Sequence, residues 1–211
     1  MPTVQKTRIF RLTHYKNLPF ILGNGIHCAN SKVKDPAFVS IGAKRLIESR
    51  AITPVNLMPG KVLNDFVPFY FCPKSPMLYV LSRRGVEGVE CVQEDLVYLV
   101  SSVERIAEQP LDFVFTDRHA VLAYANFFDR IEDLHQLDWT AIRSEQWGDR
   151  YDATRMVREL KQAEFLVCQH VPANCIEGIV CQTEKTSTFV AGYLADAGSQ
   201  IPCVVRPNYF F

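Results

Sequence analysis

Asp65-Phe-Val-Pro-Phe-Tyr-Phe-Cys-Pro-Lys-Ser-Pro-Met-Leu-Tyr79 is the most distinctive stretch of this 211-residue chain. Val67–Cys72 is an almost unbroken apolar and aromatic run, which reads as a buried strand. Pro68 has no N–H for a ladder, so it predicts an edge strand or a strand start. Ser75–Ser82 follows as a helix.

Working outward, Leu96–Val100 and Asp112–Phe115 are β-rich apolar runs, with a short helical turn near Val103–Glu108 between them. Phe165–Cys168, Ile176–Cys181 and Ile201–Val205 add three more strands. Ala120–Phe128, Thr154–Gln162 and Thr183–Ala195 carry helical signals. Upstream, Thr7–Thr13 alternates polar and apolar residues like a half-buried strand. Asn17–Leu22 predicts a short helix stopped by Gly23 and Gly25. Residues 26–60 are polar and irregular apart from a helical patch near Ala43–Arg50, and Asp129–Arg150 is a second polar stretch. Long connections of this kind inside a compact domain are usually functional or disordered. The sum is an α+β fold in one domain, residues 1–211.

Composition agrees with a globular protein: 48% hydrophobic and 22% charged residues. No apolar run approaches the length of a membrane span. Met1–Arg11 is basic and lacks the apolar core of a signal peptide, which predicts an intracellular, cytoplasmic protein. The seven cysteines are odd in number and show no CxxC pair, so reduced thiols are expected rather than a disulfide framework. Net charge is zero but uneven. Residues 1–60 hold nine Lys/Arg against two acids, and the remainder carries the matching negative excess. Such a chain is a poor general polyelectrolyte binder, although its first quarter suits an anion.

Several side chains stand out. Glu164 heads the apolar run Phe165–Cys168. A buried carboxylate there must be paired or used; the plainer reading puts it on the exposed face of an edge strand. Arg50 ends a helical patch, where an arginine complements the helix dipole. Asp117-Arg118-His119 follows a strand end and reads equally as a site or as a helix cap for Ala120–Phe128. Cys168 and His170 would share a face of one strand; a metal or nucleophile pair there lacks further ligands. No Walker-A loop, GxGxxG or HExxH occurs. These residues by themselves do not name a reaction.

The Asp65–Tyr79 stretch closely resembles the signature segment of the DarT family of DNA ADP-ribosyltransferases, the toxins of DarT–DarG systems. Further blocks agree in the same order: Arg11-Leu-Thr-His14 with Asn17-Leu-Pro-Phe-Ile-Leu22, Arg50, Phe113-Val-Phe-Thr-Asp-Arg-His119, Leu137-Asp-Trp139, Gln162-Ala-Glu-Phe-Leu-Val167 and the aromatic end Arg206–Phe211. The resemblance spans nearly the whole chain. It departs at Arg11, where some members have His.

The resemblance implies a split, strongly curved β-core with flanking helices. It implies transfer of ADP-ribose from NAD to a base in single-stranded DNA, with release of nicotinamide and no metal. Thymidine is the usual target, and a related branch modifies guanosine. Glu164 and Arg50 match the catalytic positions. Arg11, Leu12 and Thr13 match holders of the nicotinamide end, and Phe20 and His27 join them as cofactor contacts. Residues 34–52 correspond to a loop covering NAD, and residues 120–164 to the substrate-recognising region. Arg118, His119 and Trp147 become candidates for the DNA base, Trp139 and Trp147 reading otherwise as core anchors. The expected partner is a cognate antitoxin of macrodomain glycohydrolase type. The rival readings are an ADP-ribosyltransferase for RNA or protein, and a catalytically silent NAD-binding domain.

Overall fold

A computed structural model describes residues 6–148, 150 and 156–211. Among these, the strands are β1 Arg8–His14, β2 Ile26–His27, β3 Phe66–Tyr70, β4 Leu96–Ser102, β5 Phe113–Thr116, β6 Phe127–Phe128, β7 Glu164–Cys168, β8 His170–Val171, β9 Gly178–Cys181 and β10 Cys203–Val205. The helices are α1 Leu18–Asn24, α2 Lys44–Ile52, α3 Pro76–Ser82, α4 Val103–Ala107, α5 Trp139–Arg143, α6 Met156–Leu160 and α7 Glu184–Asp196.

Eight strands form one sheet in the order β10-β9-β4-β1-β3-β7-β5-β6, and β2 pairs with β8 separately. All neighbours are antiparallel except β9 and β10. The seam between β1 and β3 is unlike the rest. β1 matches β4 along its whole length, from Arg8↔Ser102 to His14↔Leu96, whereas it meets β3 only at Phe10↔Tyr70. The sheet is therefore split into two halves joined at one residue pair.

Both faces of the sheet are covered, so its strands are apolar on both sides. Ile9, Val97 and Leu99 share a cluster with residues of α1 and α7, and Phe165 continues it against Phe71 and Phe115, while Phe10, Leu12, Leu96 and Tyr98 pack against α3 and Phe210. Local signals start the helices. The Ser75 side chain accepts from the Leu78 N–H with Pro76 in the first turn of α3, and Thr183 caps α7.

Four readings are corrected. Pro68 lies in an interior strand, between β1 and β7. Its carbonyl accepts from the Arg11 guanidinium at 3.0 Å, so the residue's missing N–H also faces the open seam, where no ladder needs it. The helix α1 runs through Gly23 and ends at Gly25, whose φ of 76° only glycine takes readily. Ala120–Phe128 is a looped segment of turns ending in β6. The Asp117 carboxylate explains this: it accepts from the Asn126 backbone N–H (3.0 Å) and amide (2.9 Å), closing the loop on itself. Cys168 and His170 belong to different strands, because Gln169 at φ 62° breaks the chain between them. Part of the expected Thr154–Gln162 helix is present as α6, and residues 154–155 lie outside the described residues.

Candidate active site

Glu164 is the first residue of β7, opposite Tyr70 at the end of β3. It is only 2% exposed, so the edge-strand reading is overturned: β7 lies between β3 and β5. Its N–H and both carboxylate oxygens are held. Its N–H donates to Thr116 Oγ1 at 3.1 Å, and that hydroxyl donates to the Arg118 carbonyl at 2.7 Å. Oε1 accepts from the Ala120 N–H at 3.1 Å, and Oε2 accepts from Arg50 Nη1 at 2.8 Å. Burial pushes the carboxyl pKa up. The Arg50 charge, the His119 imidazole and the hydrogen bonds from Arg50 and Ala120 outweigh it and hold the group below its ordinary value.

Arg50 sits in the last turn of α2, but its role is not to complement the helix dipole. The guanidinium turns inward onto Glu164, and Nη2 is buried with no hydrogen-bond partner in the described structure. A buried unmet donor beside a buried ion pair is costly unless a ligand oxygen meets it. The end of α2 is fixed from below, where Leu63 N–H donates to the Thr53 carbonyl and the Asn64 amide to the Ile47 carbonyl.

His119 completes the cluster, with Nδ1 3.8 Å from Glu164 Oε1. Burial lowers its pKa, Glu164 opposes and Arg50 assists, so the ring is neutral near pH 7. Nδ1 accepts from the Val121 N–H at 3.3 Å, which assigns the proton to Nε2. Arg11 reaches into the open seam from β1. Its pKa is lowered to about 10, first by burial and then by the Arg50 charge. Tyr70 is raised by burial and by Glu164. Two arginines, a histidine, a tyrosine and one carboxylate thus form one charged cluster at the split.

The other expected residues fall elsewhere. Beyond Phe10 the β3-facing edge of β1 carries no ladder. Leu12 and Thr13 are buried. Phe20 meets His27 edge to face at 6.4 Å, and His27 stacks on His170 at 4.4 Å. Both imidazoles approach the Asn24 carbonyl, each at 3.0 Å. Arg118 is tied to its neighbour Asp117 through Nε and Nη2, both at 3.2 Å. Trp147 is buried, its ring edge-on to Tyr79 and Phe211. A base would have to displace that packing to stack there. Trp139 packs edge-on to Phe71 in the core, as the anchor reading expects.

Sequence reasoning missed Asn17, Tyr70 and Thr116 in the site, and the buried Lys161. Asn17 anchors the segment leading to α2: its amide grips both backbone groups of Val39 and the Thr13 hydroxyl. A polar residue in an apolar helix start was its only signal. Lys161 Nζ donates to the Ile142 carbonyl at 3.0 Å and contacts Cys72 Sγ at 3.4 Å, joining the approach to β7 with α5. Among the described residues no three His, Cys, Asp or Glu side chains gather as a metal site, and no helix is long and apolar enough to cross a membrane.

The sequence pattern of the family described as "ssDNA thymidine ADP-ribosyltransferase, DarT" matches residues 10–211. The chain belongs to the DarT family. A DNA ADP-ribosyl transferase of Thermus sp. (strain 2.9) is 40% identical over 204 residues, covering 97% of this chain and 93% of the relative. The fold superposes on Thermus sp. 2.9 DarT in complex with ADP-ribosylated ssDNA with a TM-score of 0.90, at 37% identity, over 99% of this chain and 98% of that one. Against the same DarT in complex with NAD+ the TM-score is 0.82, at 36% identity and 99% coverage of both chains. A DNA ADP-ribosyl transferase–DNA ADP-ribosyl glycohydrolase fusion protein of Thermosipho africanus is 24% identical over 209 residues, covering 96% of this chain and 49% of the fusion. The split core is the one the resemblance implied.

Proposed function

We propose that this DarT transfers ADP-ribose from NAD to thymidine in single-stranded DNA, releasing nicotinamide. The observation that carries the proposal is the buried Arg50–Glu164 pair with its unmet Nη2 donor, set in a split sheet of the family's shape.

Breaking the bond between nicotinamide and ribose leaves the electron pair on nicotinamide and positive charge on the sugar. Glu164 remains ionised at neutral pH and is rigidly held, so it stabilises that charge without reorganising. The acceptor nitrogen of the base is a poor nucleophile until it loses its proton, which passes to solvent water as the new bond to the ribose carbon forms. Arg50 is permanently charged, which makes it a poor base. Its free Nη2 instead meets a phosphate oxygen of NAD or the anion developing on the base. Arg11 and the open edge of β1 hold the nicotinamide end, with Leu12 backbone groups suited to an amide, which needs one donor and one acceptor.

The chain acts as one domain. Residues 34–52, half of them the helix α2, cover NAD, with Phe20 and His27 at the root of that segment. Residues 120–164 recognise the DNA, with His119 and Arg118 at the entrance to the pocket. The protein works in the cytoplasm as a toxin, and the glycohydrolase joined to its Thermosipho relative supports a macrodomain-type antitoxin. Mass spectrometry of nucleosides from DNA treated with the protein and NAD tests the reading. ADP-ribosyl-thymidine is expected. An adduct on guanosine would move the target base, and label found only in RNA or protein would overturn the proposal.

A further inference from the structure

Tyr124 is 56% exposed, yet its side chain is held at both its hydroxyl and its ring. Its hydroxyl donates to the Glu159 carboxylate at 2.8 Å, and that bond, with burial and the Glu159 charge, raises its pKa. The Arg118 guanidinium lies over one ring face, 5.2 Å from the centroid. Arg118 is in turn fixed by Asp117, and Asp117 by Asn126. The Glu159 carbonyl also accepts from the His119 N–H, so one residue of α6 holds both ends of this arrangement. Tight turns at His119–Leu122 and Leu122–Ala125 set the rest of the loop.

The loop has a buried inner end and an open outer end. Ala120, 1% exposed, donates its N–H to Glu164, while Tyr124, more than half exposed, stands at the solvent side. A flat, rigid aromatic face with a cation behind it suits a nucleobase, because every base presents a π-face and stacking needs no particular hydrogen bonds. Fixing the ring in advance removes the ordering cost of binding. The base that reacts must reach Glu164 and His119 at the inner end, so the outer ring serves a different base.

We infer that Tyr124 is the stacking platform for a base adjacent to the modified one in the single-stranded DNA. This rests on the proposed transfer to DNA and adds a residue that contacts the strand outside the reacting nucleotide. It makes Tyr124 a determinant of strand binding and orientation, with no part in handling NAD.

The test uses the full chain, NAD and short oligonucleotides carrying one target base, with an abasic position placed in turn on each side of it. For the wild type, an abasic site at one neighbouring position should raise KM for DNA by roughly 5- to 150-fold, the range for loss of one stacked base. In Tyr124→Ala, KM for the intact strand should rise by a similar factor, and the abasic penalty at that position should shrink to under about 2-fold. Tyr124→Phe should keep most of the wild-type penalty; Tyr124→Leu should lose it. NAD affinity and thermal stability of these variants should match the wild type. An undiminished abasic penalty in Tyr124→Ala would overturn the inference. So would a KM effect accompanied by equal loss of NAD affinity or of folded protein, since the ring would then only be holding the loop. Both results leave transfer to DNA intact; absence of any DNA product from the wild type would instead remove the proposed function itself.

Discussion

The side chain of Asn17 and the backbone of Val39 exchange a reciprocal pair of hydrogen bonds. The Asn17 amide donates to the Val39 carbonyl at 3.0 Å, and the Val39 N–H donates to Asn17 Oδ1 at 2.8 Å. Asn17 is 1% exposed and Val39 belongs to the segment that precedes α2, so this amide acts as a second strand would, without one being present. Asn17→Leu should therefore raise KM for NAD about 10-fold or more while the bound complex retains much of its turnover. The half-buried Val39 groups left unmet should cost about 1 kcal/mol of stability, the low end for an unpaired backbone group. NAD titration beside a urea melt checks both.

Glu164→Gln should lower transfer by ~10²–10⁴, the usual cost of removing one positioned charge. The fold should persist, because Oε1 can still accept from the Ala120 N–H. Single-turnover measurement at saturating NAD and DNA separates this loss from weakened binding. Turnover at the wild-type rate would remove Glu164 from the mechanism.

Arg50→Ala should be the more damaging change to the structure. It leaves a buried carboxylate without its cation, a situation that costs roughly 3–5 kcal/mol unless the group takes up a proton. The variant should therefore bind NAD poorly and show an acid-shifted stability profile, with Glu164 titrating well above its wild-type range. The double variant Arg50→Ala with Glu164→Gln should recover part of the stability and none of the activity. Chemical denaturation of all four proteins completes the cycle.

Stability should fall on acidification in two steps whose signs follow from the directions of the shifts. His119 has a lowered pKa in the folded protein, so the unfolded chain binds its proton first. Its contribution is whole above the ordinary imidazole value of 6.5 and declines as pH drops from there towards the lower folded value. Glu164 is also lowered, so its contribution is whole above 4.5 and is lost as pH falls through its folded value. His119→Gln should lessen the first decline, to which the lowered His14 and His27 also contribute, and Glu164→Gln the second, which Asp65 and Glu177 share, read from urea midpoints between about pH 3 and pH 8.

Asp117→Ala should open the 117–126 loop, since the Asn126 backbone, its amide and Arg118 all lose their acceptor together. KM for DNA should rise at least several-fold with NAD affinity little changed. Hydrogen exchange at Ala120, whose N–H reports the loop's inner end through Glu164, should accelerate in the variant.

The strands were legible where apolar runs are dense, as in Leu96–Ser102 and Glu164–Cys168, because a strand buried on both faces leaves no polar alternation to mistake. The helix α3 was legible from Ser75 and Pro76. The surroundings of Glu164 were not. Its burial is made by β3 and β5, which are remote in sequence, so the residue alone looked like an exposed edge position. Arg50 failed likewise, since the end of a helix explains an arginine cheaply until its target is seen. Ala120–Phe128 has helical spacing, but the Asp117 side chain takes over the job that helical bonds would do. Trp147 looked like a free stacking ring because the carboxy-terminal Phe211 and Tyr79, which enclose it, are distant along the chain. Family likeness rather than periodicity brought Arg50 and Glu164 together before the geometry did.

The single-pair seam at Phe10↔Tyr70 has a mechanical meaning. A full ladder resists shear between its strands with every rung, whereas a joint one rung wide works as a flexure. The half carrying Arg11 and the half carrying Tyr70 and Glu164 behave as two jaws, each stiffened internally by its own ladders, from Arg8↔Ser102 to His14↔Leu96 on one side and Phe66↔Cys168 to Tyr70↔Glu164 on the other. A molecule seated between them supplies the missing rungs itself, so the enzyme is stiffest when loaded, while Arg50 and Glu164, already 2.8 Å apart, keep their register throughout.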